Sequence, residues 1–538
     1  MEAFAELLST KRPAAAADPA AHPAKARRVE SAVVVAQSVG ELLQEADAFD
    51  VEELDAASLK CSLLALEKKV SRNQLMRAKH FDKPERFVDS EVELDDAIKA
   101  LHILATAPEL YPLVARLKGS TTLLGLLTHE NSDVAIDVVE LLHELCDPDV
   151  VGEDRASALT LVDALLDGGL IDLLMQNLHR LDEAVEEEAT GVHNTMGILE
   201  SLLELRPTLA LAIVEAEGAV AWLLQRVRVK PSAAAPAANR LYVAEILSIL
   251  VQSGGGAARR ALGKERDGVD GIDALLQCAA HWQRRNPVDA EEEECASNVF
   301  SVLTQLLLEP EFRARFRRLE GLELVVRMLA NNGYSFHPAL RVADYALAGA
   351  RLSCERAVDV GILKHLFPAF MGRGAKSRRK RFKVDHAEVD KHAISIVATL
   401  CRELESGGRA SASGSASGAA GGQHRARVLR KFLEKDLAKT DRTMELFAHY
   451  LERVEACAAP DAPEDARAAA QYDEASEMGL YLLRRVDAGL LSLTRLAEVA
   501  VYAGAAHAQI RSRVHAKLRE SRRGSDAIAS VLDGAFAF

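Results

Sequence analysis

The 538-residue sequence predicts an all-α solenoid: a right-handed superhelix of about six repeats with helical N- and C-terminal caps. Two observations predict it. First, a glycine is followed six times by an apolar, helix-forming string, at Gly119, Gly169, Gly218, Gly271, Gly321 and Gly361; Gly169-Leu-Ile-Asp-Leu-Leu174 is typical. The strings recur roughly every 40 to 53 residues, the period of two- and three-helix repeat units. Second, 49% of the residues are hydrophobic but only 5% aromatic. Leucine and alanine therefore carry the apolar load, which favours helix over sheet. Each unit of such a stack packs only on its neighbours, so the length needs no division into globular domains. A long stacked surface suits binding, and nothing in it requires an enzyme.

The elements follow in order. Residues 1–45 are rich in alanine and proline and read as a disordered arm, with Pro13, Pro19 and Pro23 breaking any helix. Within the arm, Lys11-Arg12 and Lys25-Ala-Arg27-Arg28 form a split basic motif that matches a bipartite nuclear-import signal. Such signals lay extended cations into the acidic groove of an importin. Residues 46–93 read as a helical N-terminal cap, with Leu59, Leu63, Leu64, Leu66 and Val70 on one face. Repeats run over 94–405. The first has an amphipathic helix at 94–104, a second segment at 108–117 ended by Gly119, and a short apolar helix at 121–127. A polar turn at 129–133 follows, with Ser132 or Asp133 as the cap of a long helix at 134–145. This is the armadillo plan, in which the glycine gives freedom for a sharp bend between helices. Matching long helices are expected at 183–205, 239–251, 290–308, 337–348 and 388–404. Residues 406–423 read by composition as a flexible Gly/Ser linker. Residues 424–538 read as a C-terminal helical region, with helices at 428–451, 471–485, 488–503 and 507–518.

Bulk chemistry narrows the partners. The formal net charge of −14 argues against a dedicated nucleic-acid binder, whose phosphate contacts need a basic face. An acidic scaffold prefers basic partners. Seven scattered cysteines with no Cys-x-x-Cys pair read as buried free thiols of a reducing compartment. No apolar run approaches the roughly 20 residues of a membrane span, and the N-terminal residues lack a secretory pattern. Cytosol or nucleus is expected, with no membrane partner.

Candidate sites lie on the long helices and in one loop. Glu140 and Glu144 sit one turn apart and off the apolar stripe of the first long helix; Asn194, Glu245 and Asn298 lie on later ones. Carboxylates and amides in that arrangement suit an extended basic peptide; a plain solvated polar face is the other reading. Arg373, Lys376, Arg378, Arg379, Lys380, Arg381 and Lys383 form a dense basic loop. It suits RNA, an acidic partner or a second import signal, though no aromatic stacking platform accompanies it; a solvated insertion is the alternative. Import receptors line their groove with a ladder of tryptophan and asparagine. Here the tryptophans are only Trp222, read as core packing, and Trp282, and neither falls on a long helix. No catalytic, metal or cofactor site is expected: His386 and His392 are six apart, and no Gly-x-Ser-x-Gly elbow occurs.

Several long, irregular strings resemble the β-catenin-like protein 1 family, the armadillo proteins of the spliceosome. They include Phe81-Asp-Lys-Pro-Glu-Arg-Phe-Val-Asp-Ser-Glu91, Leu123-Leu-Gly-Leu-Leu-Thr-His-Glu-Asn-Ser-Asp-Val134 and Leu181-Asp-Glu-Ala-Val-Glu-Glu-Glu-Ala-Thr-Gly-Val-His-Asn-Thr195. Tyr481-Leu-Leu-Arg-Arg-Val-Asp-Ala-Gly-Leu490 and Gln509-Ile-Arg-Ser-Arg-Val-His515 extend the resemblance towards the C-terminus. It implies a nuclear, non-enzymatic adaptor of the nineteen complex that recognises basic, nuclear-localisation-type segments of splicing factors, notably the complex's Myb-domain core protein. A generic nuclear transport or signalling adaptor is the alternative. The sequence leaves a homodimer open. The chain departs from the family in lacking its long acidic run after the basic arm, in the Gly/Ser stretch at 406–422, and in a short, divergent tail after Arg523.

Overall fold

Leucine- and alanine-rich strings with glycine punctuation fold as expected, into helices joined by short turns. A computed structural model describes residues 54–446, apart from 233, 375–379, 381, 383, 385, 410–415, 436–437, 440 and 444. The chain divides into two units, Met1–Ser58 and Leu59–Phe538. In the first, Asp55 Oδ1 accepts the Ser58 N–H at 2.7 Å, an N-cap for helix α1, Ala56–Lys79.

In the second unit α1 is followed by α2 (Val88–Lys99) and then, among the described residues, by six three-helix units. The units are α3 (Tyr111–Arg116), α4 (Gly119–Leu126), α5 (Ser132–Leu145); α7 (Arg155–Asp167), α8 (Leu170–Leu178), α9 (Glu186–Leu205), preceded by the short α6 (Pro148–Glu153); and α10 (Leu209–Glu215), α11 (Ala219–Arg228), α12 (Ala237–Ser253). They continue as α13 (Gly255–Gly263), α14 (Gly271–Ala280), α15 (Ala290–Leu306); α16 (Pro310–Arg318), α17 (Gly321–Asn331), α18 (Phe336–Leu347); and α19 (Arg351–Asp359), α20 (Leu363–Phe370), α21 (His386–Arg409). Helix α22 (Ala416–Leu433) packs on α21. A hairpin interrupts the pattern: Glu265–Arg266 pairs antiparallel with Val269–Asp270, turning through Asp267 and Gly268, both at positive φ.

Each repeat glycine stands between the first and second helix of its unit, but the six do two different jobs. Gly169, Gly218 and Gly361 are left-handed, at φ 86°, 72° and 93°, where a Cβ is strained. At Gly119 and Gly321 the left-handed residue is the one before, Lys118 or Glu320. A Cβ on Gly321 would lie 2.6 Å from the Phe316 ring, and one on Gly271 would lie 1.8 Å from the Leu262 carbonyl oxygen. In these units the glycine permits close approach.

The long third helices pack side by side in sequence order: α2, α5, α9, α12, α15, α18, α21. Helix α2 therefore belongs to this layer and does not open the first repeat, a correction to the expectation from its amphipathic pattern. Its continuation at 100–106 is 3₁₀. Being flanked on two sides, the long helices bury most of their circumference. In α5, Val134, Ala135, Ile136, Val138, Val139, Leu141, Leu142 and Leu145 are all buried, which leaves Ser132, Asp133, Asp137, Glu140, His143 and Glu144 on the outward side.

Four more expectations need correction. The cap of α5 is Asn131, whose side chain accepts the Asp133 N–H, and not Ser132 or Asp133. On α1, Leu59, Leu63 and Leu66 are buried but Leu64 is 46% exposed, because it lies off the buried row. Trp282 is the fully buried tryptophan; Trp222 is only half-buried. The stretch expected as a Gly/Ser linker at 406–423 is helical over much of its length, since α21 runs through Arg409 and α22 begins at Ala416. Alanine offsets the cost of glycine there, and α22 has α21 to pack on. The helices expected at 471–485, 488–503 and 507–518 lie outside the described residues, as does the arm with Lys11, Arg12, Lys25, Arg27 and Arg28.

An acidic candidate site along the long helices

The outward sides of α5, α9 and α12 meet at a small residue. A Cβ on Gly197 of α9 would lie 2.3 Å from His143 Nε2 of α5 and 3.3 Å from the Tyr242 hydroxyl of α12. The missing side chain lets three helices bring polar groups together. Tyr242 donates its hydroxyl to Glu200 Oε2 at 2.6 Å and packs edge-on against the His193 ring, centroids 5.0 Å apart. Glu245, one turn on from Tyr242, completes the row.

The electrostatics show how crowded the carboxylates are. The Glu245 carboxyl is held above the usual carboxylate range, first by burial and then by repulsion from Glu294 of α15 and Glu200 of α9. Burial pushes the His143 imidazole below its ordinary value, against the pull of Asp147, Glu140 and Glu144, so it stays neutral near pH 7. The Tyr242 phenol is pushed up by burial and by Glu200. Glu140, Glu200, Glu245 and Glu294 thus place negative charge along four adjacent helices.

Of the residues named from sequence, Glu140 is exposed, and Glu144 is half-exposed and bonded to His102 Nδ1. Glu245 and Asn298 are half-buried, with Asn298 one turn from Glu294. Asn194 does not join the face. It is buried at 9% exposure, because the neighbouring position, His193, takes the outward direction. His143, His193, Glu200 and Tyr242 are functional candidates that reasoning from sequence misses. Their signal is the spacing of 193, 197 and 200, one helix row with glycine at its centre.

Other acids are used internally. Glu183 forms a buried bidentate pair with Arg226 and also accepts from Asn239 Nδ2 at 2.9 Å. Glu292 accepts from the Val288 N–H at 3.0 Å and from Trp282 Nε1 at 3.1 Å. In the basic loop, Arg373 and Lys380 are exposed, while Lys376, Arg378, Arg379, Arg381 and Lys383 lie outside the described residues. His337, Glu388 and His392 bring ligand-type atoms within 4.8 Å of one another. His392 Nδ1 is already bonded to Asp344 Oδ2 at 3.0 Å, and Ser395 holds the other oxygen of Asp344, so a packing pair accounts for this histidine. Cys146, Cys278, Cys295, Cys354 and Cys401 are buried free thiols, with Cys146 pushed up to about 12 by burial; Cys61 is exposed.

The profile of the family described as "Catenin-beta-like, Arm-motif containing nuclear" matches residues 37–533. The chain belongs to this family. Beta-catenin-like protein 1 of Homo sapiens is 40% identical over 480 residues, 88% of this chain and 80% of that protein. The Schizosaccharomyces pombe homolog is 33% identical over 396 residues, 73% of this chain and 64% of its own length. Among solved structures, an engineered protein aligns over 82% of this chain and 93% of its own, with 15% identity and a TM-score of 0.43. Membership supports an armadillo scaffold, in agreement with the observed helix order.

Proposed function

We propose that this protein is a non-enzymatic nuclear scaffold that binds basic, nuclear-localisation-type segments of splicing factors on the long-helix face. In this reading it works with the spliceosomal nineteen complex, and the complex's Myb-domain core factor is its main partner. The observation that carries the reading is the row Glu140, Glu200, Glu245 and Glu294, where Glu245 is repelled by its neighbours with no cation among its perturbing groups. A peptide lysine or arginine seated there relieves that repulsion and gains charge-assisted hydrogen bonds. The family description supports a nuclear setting, and the motif Lys11, Arg12, Lys25, Arg27, Arg28 supplies an import signal for an importin.

The test is charge reversal at two acids of the row. Glu140→Lys with Glu294→Lys is expected to weaken a basic import-signal peptide by roughly tenfold at low salt, with the wild-type helical spectrum retained. Unchanged affinity sinks the assignment of this face. A pull-down from nuclear extract separates the two adaptor readings. Splicing factors in the eluate support the spliceosomal adaptor, and transport receptors alone support a generic transport or signalling adaptor.

A further inference from the structure

A second surface has the opposite sign. Helix α20, the end of α22 and the segment that follows enclose a cleft of about 530 Å³. Seven cations line it, against the single carboxylate of Glu434. In a chain of net charge −14 this is a local reversal. Part of the charge is used in place. Arg427 bonds Asp359 Oδ1 at 3.1 Å and the Val358 carbonyl at 2.9 Å. Lys431 and the buried Lys439 share Glu434, at 2.9 and 3.1 Å. Lys364, Arg430 and Lys435 are exposed or half-exposed on the rim. Lys435 is held at φ 53°, where α22 has ended. The floor is apolar: Leu363, Phe367, Pro368 and Met371.

We infer that this cleft binds an acidic polypeptide segment with an apolar centre. Its volume is that of a pocket which encloses a small group. The apolar floor takes the anchor, and the rim cations take the flanking carboxylates. Single-stranded RNA fits less well, because stacking needs an open ring face. Phe367 is only 3% exposed, is packed edge-on to Phe370 and Phe432, and carries Lys439 Nζ 5.7 Å above its ring. The scaffold then has two sites of opposite charge preference, one for a basic segment and one for an acidic one.

The experiment uses the full chain and fluorescence anisotropy. The probe is a labelled peptide of glutamates flanking a central Leu-Phe pair; controls are the same peptide with Gly-Gly at the centre, and labelled oligouridylate. Wild type is expected to bind the Leu-Phe peptide saturably, more weakly as salt rises, and to bind the Gly-Gly peptide less well. Lys364→Glu with Arg430→Glu and Lys435→Glu is expected to lower the affinity about tenfold or more. Lys364→Glu alone gives a smaller loss, and keeps the test sound should the triple variant melt early. Absent peptide binding, equal binding by the variants, equal binding of both peptides, or oligouridylate binding preferred over the peptide each overturns the proposal.

Discussion

Glu245 shows at the scale of one residue how crowded carboxylates hold a face under tension. Its folded pKa lies above its unfolded value, so the folded state binds the proton more tightly. Stability is therefore lost as pH rises from about 4.5 through the raised folded value, and the penalty is complete above it. Glu245→Gln removes a charge the fold disfavours. It is expected to raise the melting temperature at neutral pH, with the difference vanishing around pH 4, while weakening the basic peptide. Thermal melts of both proteins across pH check this; a variant that melts lower at pH 7 refutes it. His143 runs the other way. Its depressed pKa means stability falls as pH drops below about 6.5. Single residues are the least legible part of the sequence. Glu140 and Glu245 can be named from helix rows, but Asn194 and His193 differ by one position, and which of them faces outward depends on where the neighbouring helices press.

For the individual element, the repeat glycines divide by what they replace. Gly169 is left-handed, and a Cβ added there would meet nothing within 4 Å, so Gly169→Ala carries only backbone strain, about 1 kcal/mol. Gly271→Ala drives a methyl against the Leu262 carbonyl, a backbone atom that cannot swing away. It is expected to cost well over the roughly 1 kcal/mol of Gly169→Ala and to open the junction of α13 and α14. Chemical denaturation of the two variants compares them directly, and similar midpoints contradict the division. The long helices of the six units are legible in sequence to within a few residues, because a 3.6-residue apolar period and capping turns are local signals. Helix α2 is not, since its membership in the long-helix layer is a fact of packing against α5. Nor does Gly/Ser composition reveal how close together α21 and α22 run.

Across the whole second unit, stability is a chain of nearest-neighbour interfaces. Leu247 at the centre of α12 is fully buried, in a helix that packs on α9 and α15. Leu247→Ala is expected to cost about 2–5 kcal/mol. Amide exchange should speed most in α9, α12 and α15, and least in α2 and α21. Uniform acceleration along the chain contradicts the nearest-neighbour account. The same logic explains how opposite charge preferences coexist. The acidic row lies on α5, α9, α12 and α15, and the basic cleft on α20 and α22, elements separated along the stack.

Class, repeat count and helix order are written in the chain itself, because each follows from local periodicity, turn chemistry and a net charge that any reader can sum. Which acids stand unneutralised is a property of the fold. Glu183 and Glu292 look no different from Glu200 and Glu245 in the sequence, yet the first two are paired with Arg226 and Arg285, and the last two repel each other across adjacent helices. Likewise Lys364 and Arg430 are far apart in the chain, and their shared cleft exists because α20 and the end of α22 are brought together. Charge is written residue by residue, but the field a partner meets depends on distances between side chains, and folding alone sets those.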